Sequence, residues 1–184
     1  MEALINDREE ARELPLTVNA FAIGARAESI FRHRVLLLNR APYSNIPAEK
    51  MELSETDWLE RSHKLRLRHE CAHYETLRLL GGMKNHAHDE ILADALGQIV
   101  AFGDFSAERQ RLFFGLERGK NTCHGRLSFY CQQLMPGERE KVHRAVDAAL
   151  KSIEEQLVSL LAKNVDELEI FTALSGTSIA ERML

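Results

Sequence analysis

The residues carrying most chemistry in this chain are His69-Glu70-Cys71-Ala72-His73, an H-E-x-x-H pattern, with Glu90 and Asp94 downstream. On an α-helix each residue turns by about 100°, so histidines at i and i+4 lie about 40° apart on one face and can reach one tetrahedral ion. Glu70 projects beside that ion and can take a proton from activated water without using a coordination position. Glu90 stands seventeen positions after His73, in Glu90-Ile91-Leu92-Ala93-Asp94, and supplies a third ligand, with Asp89 beside it as a competitor. These types and spacings describe metal-assisted hydrolysis at one zinc ion per chain, held by His69, His73 and Glu90, with Glu70 as general base.

Such a site needs two helices running in opposite directions. Ser54-Glu55-Thr56-Asp57 resembles a capping box with Asp in place of Glu, and Gly81-Gly82 is a stop signal, so a helix is expected between them. Trp58, Ser62, Leu65, His69, His73, Thr76 and Leu80 share one face of it, opposite Lys64, Arg68, Glu75 and Arg78. A second helix is expected over 87–102, apolar around its circumference and therefore buried, with Glu90, Asp94, Ala93, Gly97 and Ala101 along one stripe. Small residues on that stripe admit a close neighbour. An antiparallel return brings Glu90 level with His73 and Asp94 level with His69, where Asp94 would accept the other ring N–H of a ligating histidine. His86 and His88 lie at the turn into this helix and edge the site; His124, Tyr130 and His143 are available to stabilise a transition state.

The remaining pattern is scaffold. Helices are expected over 106–118, 125–134 and 136–163, the last with Val142, Val146, Ala149, Ile153, Leu157 and Leu160 in one stripe, followed by a short helix or two over 165–184. The first fifty residues offer an acidic helical start to Leu14, a β-favouring Thr17–Phe21 and the apolar run Val35–Leu38. That run, within 34–39, is the best strand candidate and ends in the irregular Asn39-Arg40-Ala41-Pro42-Tyr43-Ser44-Asn45-Ile46-Pro47. The fold expected is mainly α: one domain over 1–184, with a metal-site helix pair at 55–102, a C-terminal helical scaffold at 105–184 and at most a small N-terminal sheet.

Bulk properties narrow the function classes. With 184 residues and 45% hydrophobic content one sizeable core is possible. The net charge of -4 leaves no basic footprint for nucleic acid or an anionic membrane. The opening residues lack the basic and apolar regions of a secretory signal, and no later run would span a bilayer, so a cytoplasmic protein is expected. Three cysteines without C-x-x-C spacing read as small hydrophobes.

His69-Glu70-x-x-His73 followed by Glu90-x-x-Ala93-Asp94 resembles the gluzincin group of zinc metallopeptidases over about residues 65–102. Thermolysin-like members carry Glu-x-x-x-Asp on the second helix, and the membrane prenyl-protein peptidases carry Glu-x-x-Ala-Asp. The resemblance implies a helical zincin-like fold, zinc on His69, His73 and Glu90, Glu70 as general base, Asp94 orienting a histidine, and a peptide or other amide as substrate. It also implies a Tyr, His or Arg at the transition state and a substrate laid along a sheet edge. Two rival readings make different predictions. A non-enzymatic regulatory or interaction protein would keep a structural zinc closed by a fourth ligand such as Asp89, His86 or His124. A metal-free helical module would carry the motif by coincidence.

Overall fold

The structure is a computed structural model that describes residues 2–4, 35–83, 85–117 and 123–183. The chain is mainly helical and its backbone contacts divide it into two compact units, Met1–Ala41 and Pro42–Leu184. In the first, β1 (Glu2–Leu4) pairs antiparallel with β2 (Leu36–Leu38), placing Ala3 opposite Leu37. The strand expected over 34–39 is thus present but short, and the expected helical start gives way to β1 at Glu2–Leu4. The rest of that start and the Thr17–Phe21 run lie outside the described residues.

The second unit begins with two 3-10 turns, Tyr43–Asn45 and Ala48–Met51, followed by α1 (Glu55–Leu80) and α2 (His86–Phe102). Ser54 caps α1 by accepting from the Asp57 backbone N–H at 3.1 Å, and Gly81 ends the helix in the left-handed conformation (φ 72°) that a side chain disfavours. The Gly82 N–H returns to the Thr76 carbonyl at 3.0 Å, a Schellman-type closure. Asn85 caps α2 in turn, accepting from the His88 N–H at 3.2 Å.

Helices α1 and α2 run antiparallel and make the largest contact between elements among the described residues. At its centre a Cβ on Gly97 would lie 2.8 Å from the Leu65 carbonyl oxygen, so only glycine admits this approach. One turn from that contact His69 meets Asp94, and one turn further His73 meets Glu90. Trp58, Leu65, Ala101 and Phe113 form a core around one end of the pair with Tyr43 and Ala48. Burial of each large apolar side chain there contributes about 1.5–3 kcal/mol. Leu80, expected on the inward face, is 47% exposed, because α1 has by then run past the start of α2.

The scaffold follows as α3 (Ala107–Phe114), α4 (Arg126–Tyr130), α5 (Pro136–Ala162), α6 (Glu167–Ser175) and a 3-10 turn at Glu181–Met183. Helix α3 is shorter than its expected 106–118 because Gly115 (φ 70°) terminates it, and α4 occupies only part of 125–134. The Gly115 and Gly125 backbones press together too closely for a Cβ on either. That contact delivers α4, and with it Arg126, beside α2. Val146, Leu150, Ile153 and Leu157 of α5 pack with Ile91, Leu92 and Leu96 of α2 in the larger core. Arg68, expected on the face of α1 opposite the histidines, is only 12% exposed and pairs with Glu75 and with Glu167 of α6. No helix among the described residues is long and apolar enough to cross a membrane.

Candidate metal centre

His69 and His73, one turn apart on α1, direct their Nε2 atoms to one place, 3.0 Å from each other. Glu90 faces them from α2, its Oε2 3.6 Å from His69 Nε2 and its Oε1 3.5 Å from His73 Nε2. The three residues form a group whose ligand atoms all lie within 4.8 Å of one another. Metal–ligand bonds of about 2.0–2.1 Å give a tetrahedron an edge of about 3.3–3.4 Å, which the three observed separations bracket.

The far nitrogen of each imidazole is tied to a carboxylate. His69 Nδ1 lies 2.8 Å from Asp94 Oδ1, and His73 Nδ1 lies 2.9 Å from Asp89 Oδ2. Burial would raise the Asp94 pKa, but the charges of Arg126 and His69 with hydrogen bonds from His69 and Gln110 outweigh it and hold it well below the usual carboxylate range. Asp89 is likewise lowered against its burial, chiefly by the His73 hydrogen bond and charge. Ionised carboxylates only accept, so each Nδ1 carries the proton and each Nε2 presents a lone pair. At this distance the two nitrogens need either a shared proton or a metal cation between them. Burial pulls the His73 pKa down, yet the Asp89 hydrogen bond and the charges of Glu90, Asp89 and Glu70 raise it overall, as expected of a place that favours positive charge.

Asp94 is fully enclosed, with no exposed surface. Its Oδ1 accepts from Tyr43 Oη and His69; its Oδ2 accepts from Arg126 and from Gln110 Nε2, the latter at 2.5 Å. Gln110 Oε1 accepts from Gln98 Nε2 at 2.8 Å, and Gln98 Oε1 accepts from Arg109 Nε, also at 2.8 Å. A hydrogen-bonded chain therefore runs from the His69 imidazole through α2 and α3 to Arg109 at the surface. Arg126 lies across the two carboxylates, bonding Asp94 with the same nitrogen that stands 3.3 Å from Glu90 Oε2, while its other terminal nitrogen donates to Tyr43 Oη at 2.8 Å. Burial works against the Arg126 charge, but Asp94, Tyr43 and Glu90 raise its pKa well above the usual value. Asp89, Glu90, Asp94 and Glu70 against Arg126 and Arg66 leave two uncompensated negative charges around the imidazoles, matching one divalent cation.

Of the residues singled out in the sequence, His69, His73, Glu90 and Asp94 converge, and Glu70 stands half-buried beside them, close enough for its charge to act on His73. Asp89, a rival for the third ligand position, hydrogen-bonds the back of His73 instead. His88 turns away and donates from Nε2 to the Leu174 carbonyl at 2.9 Å, burial lowering its pKa. His124 is exposed near Glu117, and His143 is buried on α5. Tyr130 reaches the site: burial raises its phenol pKa, Arg126 opposes, and Glu90 adds to the rise. The cysteines take no part in the ligand group.

Tyr43, Gln110 and Arg126 were not foreseen. No spacing rule links them to the motif, since they come from a turn, from α3 and from α4. The only signal was the Pro-Tyr-Ser-Asn composition around Tyr43, which marks an irregular segment without saying where it docks. A surface cleft of about 350 Å³ lined by Lys50, Arg61, Phe102 and Arg109 contains none of the ligand group.

No curated protein and no solved structure matches this chain. A family model does, over residues 10–182, which take in both helices of the metal centre and the scaffold behind them. The chain belongs to that family, described as a family of unknown function (DUF7005).

Proposed function

We propose that this protein is a zinc-dependent hydrolase acting on a peptide or another amide. The observation that carries the reading is the convergence of two oriented Nε2 lone pairs and the Glu90 carboxylate inside a shell with two negative charges in excess. His69, His73 and Glu90 would hold the ion, and the donor set suits zinc. When bound, zinc supplies Lewis acidity that acidifies water and polarises a carbonyl. Glu70 accepts the water proton and passes it to the leaving nitrogen. Asp94 and Asp89 keep both imidazoles in the ligating tautomer. Tyr130, whose hydroxyl bonds Glu90, would turn its proton from that carboxylate to a developing oxyanion, the part that the gluzincin resemblance asks of a Tyr, His or Arg.

A structural zinc would need a fourth protein ligand. Among the described residues the ligand group contains three, with Asp89 engaged by His73 and His124 facing Glu117. This favours an open position over a closed one.

The test is elemental analysis of gently purified protein beside His69→Ala. About one zinc per chain, lost in the variant, is the expected result. Protein that takes up no zinc when offered it would overturn the reading. The hydrolase step is tested by Glu70→Gln, expected to keep zinc and lose turnover; a fully active Gln form would remove Glu70 from the mechanism.

A further inference from the structure

Resting on the metal reading above, we propose that Tyr43 is a positioning residue: its hydroxyl, clamped between Arg126, Asp94 and His69 Nδ1, sets the orientation of the His69 imidazole and so the affinity of the site for a divalent metal. Tyr43 belongs to neither helix of the metal pair. Its phenol oxygen accepts from Arg126 at 2.8 Å, so its single proton is committed to Asp94 Oδ1, and a remaining lone pair faces His69 Nδ1 at 3.0 Å. One hydroxyl thereby fixes both the carboxylate and the ring it orients.

The segment carrying Tyr43 is held as firmly as its side chain. Tyr43 N–H donates to the buried Ser62 Oγ at 3.0 Å, and Trp58 Nε1–H donates to the Ile46 carbonyl at 2.7 Å. The Tyr43 ring meets Phe113 edge-on at 5.1 Å between centroids. Ser44 (φ 50°) and Asn45 (φ 57°) are both in the left-handed region, which Asn tolerates but which a serine keeps only where its surroundings impose it. Backbone strain next to an interior hydroxyl is what a positioning device requires, because a relaxed loop would let the phenol swing.

Tyr43→Phe keeps the ring against Phe113 and removes only the hydroxyl. Zinc affinity, measured by competition with a chromophoric chelator, should fall about tenfold, the usual effect of losing a group that supports a ligating histidine. The visible bands of the cobalt(II)-loaded protein should shift, a change in ligand field that loss of packing alone would not produce. In an Asp94→Asn background the same substitution should cost less affinity than in the unmodified protein, since part of the hydroxyl's action runs through that carboxylate. Ser62→Ala, which frees the Tyr43 backbone but leaves the hydroxyl, should shift the cobalt bands in the same direction and serves if Tyr43→Phe does not fold. Unchanged affinity and bands in both single variants would overturn the proposal while leaving the metal site standing. An undiminished tenfold loss in the Asp94→Asn background would also overturn it. Failure of the unmodified protein to bind zinc or cobalt would overturn both this inference and the site.

Discussion

His69 and His73 offer the same nitrogen to the same point, yet the two are anchored differently. Behind His69 stands Asp94, fully buried and bonded by groups from the Tyr43 turn, α1, α3 and α4. Behind His73 stands Asp89, on α2 like Asp94 but partly exposed and bonded by His73 of α1. One imidazole is thus fixed by tertiary structure and the other by the local pairing of α1 and α2. Asp94 should matter to the whole fold; Asp89 should matter to the metal.

The largest expected effect breaks the tertiary half. Asp94→Ala leaves the half-buried Arg126 guanidinium without its main counter-charge, and loss of one partner from a buried pair costs up to about 3–5 kcal/mol. Denaturant unfolding of the metal-free protein should show it. A loss under about 1 kcal/mol would mean that Asp94 is not the keystone of the cluster.

Next comes the contact that both halves share. Gly97→Ala puts a Cβ against the Leu65 carbonyl and must push α1 from α2, destabilising by about 1–3 kcal/mol. Zinc affinity should fall with it, because all three proposed ligands straddle that interface. Unchanged affinity in a destabilised variant would show that the ligand geometry is independent of the helix spacing.

Asp89→Asn addresses the local half and should spare stability to within about 1 kcal/mol while weakening zinc about tenfold. Equal effects on stability from the Asp89 and Asp94 variants would erase the distinction between the two halves.

The smallest effect concerns His88, on the same helix but tied to a carbonyl instead of a carboxylate. Burial lowers its pKa below the unfolded value of about 6.5, so the folded state prefers it neutral. Its contribution to stability is complete above about pH 6.5 and is lost as pH falls toward the folded value. The unfolding free energy of wild type relative to His88→Gln should therefore decline between about pH 7.5 and about pH 5. A rise over that interval would contradict burial as the cause.

Much of the helix pair was legible in advance because its signals are local. Ser54 and Gly81 satisfy or end backbone hydrogen bonds within a few residues, and the small stripe through Gly97 announced a close neighbour. The antiparallel return then places Glu90 and Asp94 by helical rise alone. The environment of Asp94 was not legible. A buried carboxylate must find donors, but nothing in the pattern says that they come from Tyr43, Gln110 and Arg126.

Sequence by itself determined the types and periodicity of the metal-site residues, the caps that bound α1, and the apolar faces that make the chain mainly helical. Tertiary structure alone decided that Asp89 serves His73 and that one arginine spans Asp94 and Glu90. The reason is physical: caps and helix faces follow from interactions between near neighbours, whereas charges in a buried cluster are balanced by whatever the packing of distant segments brings within a few ångströms.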